Sequence, residues 1–209
     1  MARRYTWLVI AGLMVLGIVV VVRVLGLGRA TPPAGQESPQ AVLTKAHRAL
    51  VDGDAARFAE CFVTEGHGQQ VGVGALFDFV RAAYALEDAL RENYGKSAWE
   101  TFVGAQADPA AFAAPIWPRD PGFPAAAKIT VAGNEAKAKL PGRAEALPLR
   151  LEGVWRIDMF PRDGTVRGRR EALARATEAL RKILPAIALG GPTPRSLGRQ
   201  VREQLAAEP

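Results

Sequence analysis

The chain opens with a long apolar run. Residues 5–22 (YTWLVIAGLMVLGIVVVV) are 18 consecutive residues without a charge. A helix of that length, at about 1.5 Å per residue, matches the roughly 30 Å hydrocarbon core of a bilayer. Residues 1–29 are therefore predicted to be an N-terminal transmembrane helix, retained as an anchor or uncleaved signal. The alternative is a cleaved signal peptide, whose apolar stretch is ordinarily about 7–15 residues.

Charges on either side of this run predict its orientation. Arg3, Arg4 and the α-amino group precede it, whereas Arg23 and Arg29 follow it. The excess on the N-terminal side favours a cytoplasmic N-terminus and an extracytoplasmic body. Residues 30–40 (ATPPAGQESPQ) are rich in proline and polar residues and are predicted to be a linker. We expect a single-pass membrane protein.

Helical periodicity follows the linker. Ser38 and Pro39 form a capping signal, and apolar residues then recur at three- and four-residue steps up to a stop at Gly53. Asp54 begins a short second helix that presents Phe58, Cys61 and Phe62. Residues 65–74 are glycine-rich and are predicted to be non-helical, with one short strand over 70–73. A third helix is predicted over 75–94.

The pattern changes after residue 108. Residues 108–126 contain several prolines and are predicted to be an irregular crossing without a helix. Apolar and polar residues then alternate over 128–131, 135–140, 147–151 and 154–159, with Gly133 and Gly153 in the intervening turns. This alternation predicts a four-stranded antiparallel meander, with one apolar face that the preceding helices cover. The predicted fold class is therefore α+β.

Residues 161–209 are predicted to be a basic helical extension. An amphipathic helix is expected over 168–184, ended by Pro185, with a shorter piece over 196–207. Glutamates stand four residues before basic residues at Glu171–Arg175 and Glu178–Lys182, which predicts a solvated, salt-paired face.

The charge distribution argues against a nucleic-acid partner. The chain has 27 Lys+Arg and 21 Asp+Glu, a formal net charge of +6. Residues 31–160 alone carry 13 basic and 16 acidic residues, so this part is mildly acidic. One cysteine, Cys61, excludes a disulfide framework within the chain.

Two stretches carry a resemblance to a known family. Residues 46–62 (AHRALVDGDAARFAECF) form a helical hairpin with a Gly-Asp turn, and residues 134–160 (NEAKAKLPGRAEALPLRLEGVWRIDMF) end in a Gly-x-Trp hairpin. Together with the element order, they resemble the NTF2-like (SnoaL/ketosteroid-isomerase-like) α+β cone superfamily over residues 41–160. That superfamily spans isomerases, dehydratases, transport factors and binding modules, so the resemblance implies the fold more than an activity.

The titratable residues do not form an evident catalytic constellation. His47 is expected to be capped or exposed, and His67 is expected on a loop; neither has metal-ligand spacing. Asp78 and Tyr84 are about 240° apart around the third helix, and Asp158 is predicted on the polar sheet face. Cys61 is predicted to be a buried apolar residue. No metal and no cofactor are expected.

Aromatic residues give the candidate ligand site. Core packing is the default expectation, but Phe62, Tyr84, Trp117 and Trp155 are also the candidate lining of a pocket, with Trp117 near its mouth.

The sequence favours a membrane-anchored, non-enzymatic binding or interaction module of the cell envelope. Its expected partner is a small hydrophobic ligand or an envelope protein, and a homodimer is a further expectation. The alternative is an NTF2-like enzyme of the isomerase or dehydratase type.

Overall fold

The computed structural model describes residues 36–143, 145–160 and 165–207. It is an α+β structure with a four-stranded antiparallel sheet and seven helices in this part of the chain. The predicted fold class is confirmed at this level. The predicted membrane helix lies outside the described residues, and none of the helices described is both long and apolar enough to span a bilayer.

A helical hairpin begins the body, as predicted. Helix α1 (Pro39–Asp52) is capped by Ser38, whose hydroxyl accepts from the Ala41 amide at 3.1 Å. Gly53 ends it in the left-handed region, with φ of 77°. The Asp54 side chain then caps helix α2 (Ala55–Ala59). This helix ends before Cys61 and Phe62, which were predicted to lie on it.

The glycine-rich segment is helical, so the predicted strand over 70–73 is wrong. Helix α3 runs from His67 to Tyr94. Tertiary contacts stabilise its first turns. The Gln69 side chain donates to the Phe160 carbonyl at 3.0 Å and accepts from the Glu65 amide at 2.6 Å. Gly72 lies so near the Phe160 ring that a Cβ there would come within 3.1 Å of it.

Substitution of Gly72 and Gly74, near the start of α3, tests whether this segment is helical. Gly74 is exposed with open space around it, so we expect Gly74→Ala to stabilise the protein by about 0.5–1 kcal/mol through helix propensity. We expect Gly72→Ala to destabilise it by about 1 kcal/mol, because the Phe160 ring is buried. Urea unfolding of both variants measures the difference. Destabilisation by Gly74→Ala would contradict a helix in this segment.

Two short helices precede the sheet. Helix α4 (Ala98–Val103) follows α3 closely. Helix α5 (Pro109–Ala113) corrects the prediction that the proline-rich crossing holds no helix. Pro109 stands at its first position, where proline is tolerated, and the Asp108 carboxylate accepts from the Ala111 amide at 3.0 Å.

The strands form the predicted meander. They are β1 (Lys128–Ala132), β2 (Glu135–Lys139), β3 (Leu147–Glu152) and β4 (Val154–Ile157), in the spatial order β1-β2-β3-β4. Gly133 and Gly153 take positive φ values of 61° and 75° in the turns. The outer edge of β4 is occupied by the chain after α2, since Ile157 donates to the Cys61 carbonyl and Val63 donates to the Ile157 carbonyl.

Two helices complete the body. Helix α6 (Thr165–Ala188) and helix α7 (Pro194–Ala207) are longer than the predicted 168–184 and 196–207. The prediction that Pro185 ends the first of them is wrong, because the helix continues through it. Ile187 beyond it is fully buried, which offsets the hydrogen bond that proline cannot donate. Helix α6 packs mainly against α3 and adds Leu180 and Ile183 to the common core.

Candidate functional site

The four residues predicted to line a pocket all lie in the hydrophobic core. Their exposed fractions are 1% for Phe62, 2% for Tyr84, 1% for Trp117 and 8% for Trp155. The expectation that Trp117 lies near the surface is therefore wrong. Its physical reason is that the proline-rich crossing folds inward at this point and seats the indole beneath the helices.

Helix α3 fixes the backbone of the crossing through one hydroxyl. The Tyr84 hydroxyl donates to the Trp117 carbonyl at 2.5 Å. Arg119 lies over the Tyr84 ring, 4.5 Å from its centroid, and pairs with Asp88 through two hydrogen bonds of 2.6 and 2.9 Å. Burial raises the pKa of Tyr84 to about 12. Tyr84 therefore stays protonated near neutral pH and acts as a structural donor.

Helix α1 holds the same crossing from the other side. His47 is 5% exposed, and its Nε2 lies 2.8 Å from the Pro118 carbonyl oxygen. Phe123 lies beside it, with the ring centroids 6.3 Å apart. The expected capped or exposed histidine is thus corrected to a buried one. The sequence could not show this because its partner is a backbone carbonyl about 70 residues away.

Two side chains of this region, Trp117 and Arg143, have N–H groups that could donate further hydrogen bonds. The Trp117 Nε1 group is buried and has no hydrogen-bond partner. Arg143 donates to the Ile116 carbonyl at 3.3 Å, and burial lowers its pKa to about 10. No carboxylate of the described residues pairs with Arg143.

The two candidate acids, Asp78 and Asp158, each lie near an arginine. Asp78 is exposed on α3 and lies 4.0 Å from Arg181 of α6. Asp158 lies 3.6 Å from Arg150 on the outer face of the sheet, as its alternation predicted. His67 is exposed in the first turn of α3 and not on a loop. Within the described ranges, no three His, Cys, Asp or Glu residues are grouped so that they could hold a metal ion.

Cys61 is buried, as predicted. Its thiol donates to the Arg57 carbonyl at 3.3 Å, and burial raises its pKa to about 12. Because the thiolate is the nucleophilic form, this cysteine is unreactive near neutral pH.

Arg150 is the centre of a charged network that sequence reasoning did not identify. It contacts Glu65 at 2.7 Å, Glu152 at 2.8 Å and Asp158 at 3.6 Å. The strand alternation places residues 150 and 152 on one face, so that signal was available for part of the network. Glu65 joins it only through the tertiary fold.

The C-terminal helices carry the strongest charge. Residues 165–207 contain nine basic residues against three glutamates. A surface depression of about 180 Å³ lies between α6 and α7, with Arg175 and Lys182 on one side and Gln204 on the other. The Gln204 Oε1 atom is buried and has no hydrogen-bond partner. The described surface is therefore most basic at this end of the body.

Comparisons with protein-family models, with curated proteins and with solved structures gave no match.

Proposed function

We propose that the protein is a single-pass membrane protein of the cell envelope, with an extracytoplasmic NTF2-like body that serves as a binding or interaction module and not as an enzyme. The 18-residue apolar run supports the anchor. The order of helices followed by a four-stranded meander supports the NTF2-like relationship.

The observation that carries the non-enzymatic proposal is the closed interior around Tyr84 and Trp117. In a cone of this kind the interior would hold the pocket, and here Tyr84 and Trp117 are themselves buried in the hydrophobic core. The Tyr84 hydroxyl is engaged by the Trp117 carbonyl, and His47 is engaged by the Pro118 carbonyl. The groups best placed for acid–base chemistry therefore support the fold.

We therefore expect binding on the exterior of the body. The most basic exterior is formed by α6 and α7, which suits an acidic surface as partner. The alternative occupant is a small hydrophobic ligand with an acceptor group, to which the Arg143 guanidinium would donate.

Membrane anchoring is tested with the full chain expressed in cells. We expect the protein to sediment with membranes and to resist alkaline carbonate, because the apolar run spans the bilayer. Replacing Leu16 and Val19 with arginine should release it, since each charge costs about 2.5–3.5 kcal/mol at the centre of a spanning helix. Release of the unaltered chain by carbonate would contradict the anchor.

Orientation is measured on the same material. A Gln200→Cys variant places a thiol on an exposed position of α7, whereas Cys61 is buried and serves as an internal unreactive control. We expect a membrane-impermeant maleimide to label the variant in intact cells. Labelling only after lysis would place the body in the cytoplasm.

A further inference from the structure

Three arginines form a stripe along one side of α7. Arg195, Arg199 and Arg202 are spaced by four and three residues, so at 100° per residue they fall within about 60° of arc. Arg195 and Arg199 are exposed, and Arg202 is half-buried. Glu203 is the acidic residue of this helix and lies next to the stripe. We refer to these three arginines as the α7 stripe.

The stripe differs from the basic residues of α6 in its pairing. On α6, Arg167 contacts Glu171 at 2.8 Å, and Lys182 contacts Glu178 at 2.9 Å. Arg181 reaches Asp78 at 4.0 Å. Across residues 36–143, 145–160 and 165–207, no acidic group forms an ion pair with Arg195, Arg199 or Arg202. The predicted pair Glu178–Lys182 is thus present on α6, whereas Glu171 contacts Arg167 and not the predicted Arg175.

The opposite face of α7 is packed tightly against the body. Leu197 and Val201 on that face are fully buried. Gly198 packs directly on α4, where a Cβ would clash with the Phe102 carbonyl oxygen and approach the Ala105 Cβ at 2.8 Å. The buried Gln106 side chain also donates to the Gly198 carbonyl at 3.1 Å. The backbone that carries the three arginines is therefore held firmly against the body.

The predicted anchor keeps the α7 stripe near a membrane. Residue 22 ends the apolar run, and the amide of Trp155 holds the Gln36 carbonyl in the fold at 3.1 Å. The 13 residues between them allow a separation of at most about 50 Å when fully extended. If the run spans the bilayer as proposed, a membrane surface lies within that distance of residue 36, which gives a high effective concentration.

We propose that the α7 stripe binds the anionic phospholipid headgroups of the membrane in which the protein is anchored. Guanidinium groups pair with phosphate in a bidentate geometry, and basic residues near an anionic surface act additively. The proposal rests on the proposed membrane anchoring, which brings the stripe and the headgroups together. The body then lies against the bilayer on its α7 side.

The test uses the full chain reconstituted into vesicles and labelled with a fluorophore at Gln200→Cys. Energy transfer to an acceptor dye in the headgroup layer reports the approach of α7. We expect more transfer in phosphatidylcholine–phosphatidylglycerol vesicles (about 7:3) than in phosphatidylcholine alone, with the gain lost in high salt. Replacing the stripe with glutamine (R195Q/R199Q/R202Q) should weaken the contact roughly 100-fold and abolish the gain.

A matched control removes the same charge from α6. R167Q/R170Q/R181Q deletes three arginines that already have acidic partners, so we expect it to keep the gain of transfer. Loss of the gain in this control, or no difference between the two lipid compositions, would overturn the proposal. If the stripe instead binds an acidic protein, energy transfer should be the same in the two lipid compositions.

Failure of the anchor is distinguishable from failure of the stripe. If carbonate extracts the full chain, transfer in pure phosphatidylcholine vesicles should be absent. A phosphatidylglycerol-dependent signal that disappears in the stripe variant would then still support the stripe. Absence of that phosphatidylglycerol-dependent signal would overturn the proposal that the stripe binds anionic headgroups.

Discussion

Replacing Trp117 with alanine is expected to lower the free energy of unfolding by about 3–5 kcal/mol. The indole is 1% exposed and packs near Phe123, with the ring centroids 6.4 Å apart. Its removal would leave a large cavity beneath a crossing that α1 and α3 hold in place through His47 and Tyr84. Urea unfolding followed by circular dichroism measures the loss.

Two variants make this result specific. Trp99 stacks on Phe102 at 5.6 Å but is only partly buried, so Trp99→Ala should cost clearly less than Trp117→Ala. Trp117→Phe should also cost less, because it retains most of the apolar volume and removes the unpartnered Nε1 group. A loss of under about 1 kcal/mol for Trp117→Ala would show that the indole lines an open pocket, and would contradict the closed interior.

Alkaline pH is expected to destabilise the protein by several kcal/mol. Burial raises the pKa of the Cys61 thiol from 9.0 to about 12 and that of Tyr84 from 10.0 to about 12. The folded state therefore keeps both protons in a range where the unfolded state loses them. Their contribution to stability is complete below pH 9 and is lost as the pH rises towards 12, at about 1.4 kcal/mol per pH unit for each group.

Unfolding in urea at pH 8 to 11.5 measures this dependence. Cys61→Ala should remove the loss that begins near pH 9, and Tyr84→Phe should remove the part that begins near pH 10. The parent protein and the Cys61→Ala/Tyr84→Phe double variant contain the same lysines. The pH dependence that remains in the double variant therefore measures the contribution of lysine deprotonation. A double variant as pH-sensitive as the parent protein would show that these two buried groups are not the cause.

Local chemistry predicted much of the fold. Ser38, Gly53 and Asp54 have the capping and turn roles that their residue types indicate, and Gly133 and Gly153 adopt the positive φ values that tight hairpins require. Strand alternation placed all four strands to within two residues at each end. These features depend on neighbours in sequence, so one sequence is sufficient to predict them.

The errors arise where distant contacts override local preference. Glycine disfavours helix, but the first turns of α3 are stabilised by Gln69 and by the close approach of Phe160 to Gly72. Proline disfavours helix, but burial of Ile187 carries α6 past Pro185. Neither effect is visible without knowing which residues meet in three dimensions.

The candidate site was predictable only in part. Phe62, Tyr84, Trp117 and Trp155, predicted as a candidate pocket lining, all belong to the hydrophobic core. Their number and type did not reveal that Trp117 is sealed in, because this depends on the path of the proline-rich crossing. The α7 stripe was missed because sequence spacing shows which glutamates could pair with arginines and not which arginines remain without partners.

The packing of α6 on α3 means that this part of the core can form only late in biosynthesis. The first residues of these helices, His67 and Thr165, are separated by roughly a hundred residues, which take about 5–20 s to translate at ordinary rates. Throughout that interval the apolar side of α3 has no α6 to cover it. The N-terminal run would meanwhile already have left the ribosome. If the proposed membrane anchor is right, the run would reach the membrane while the core is still incomplete, and an export route that threads unfolded chains would suit the protein.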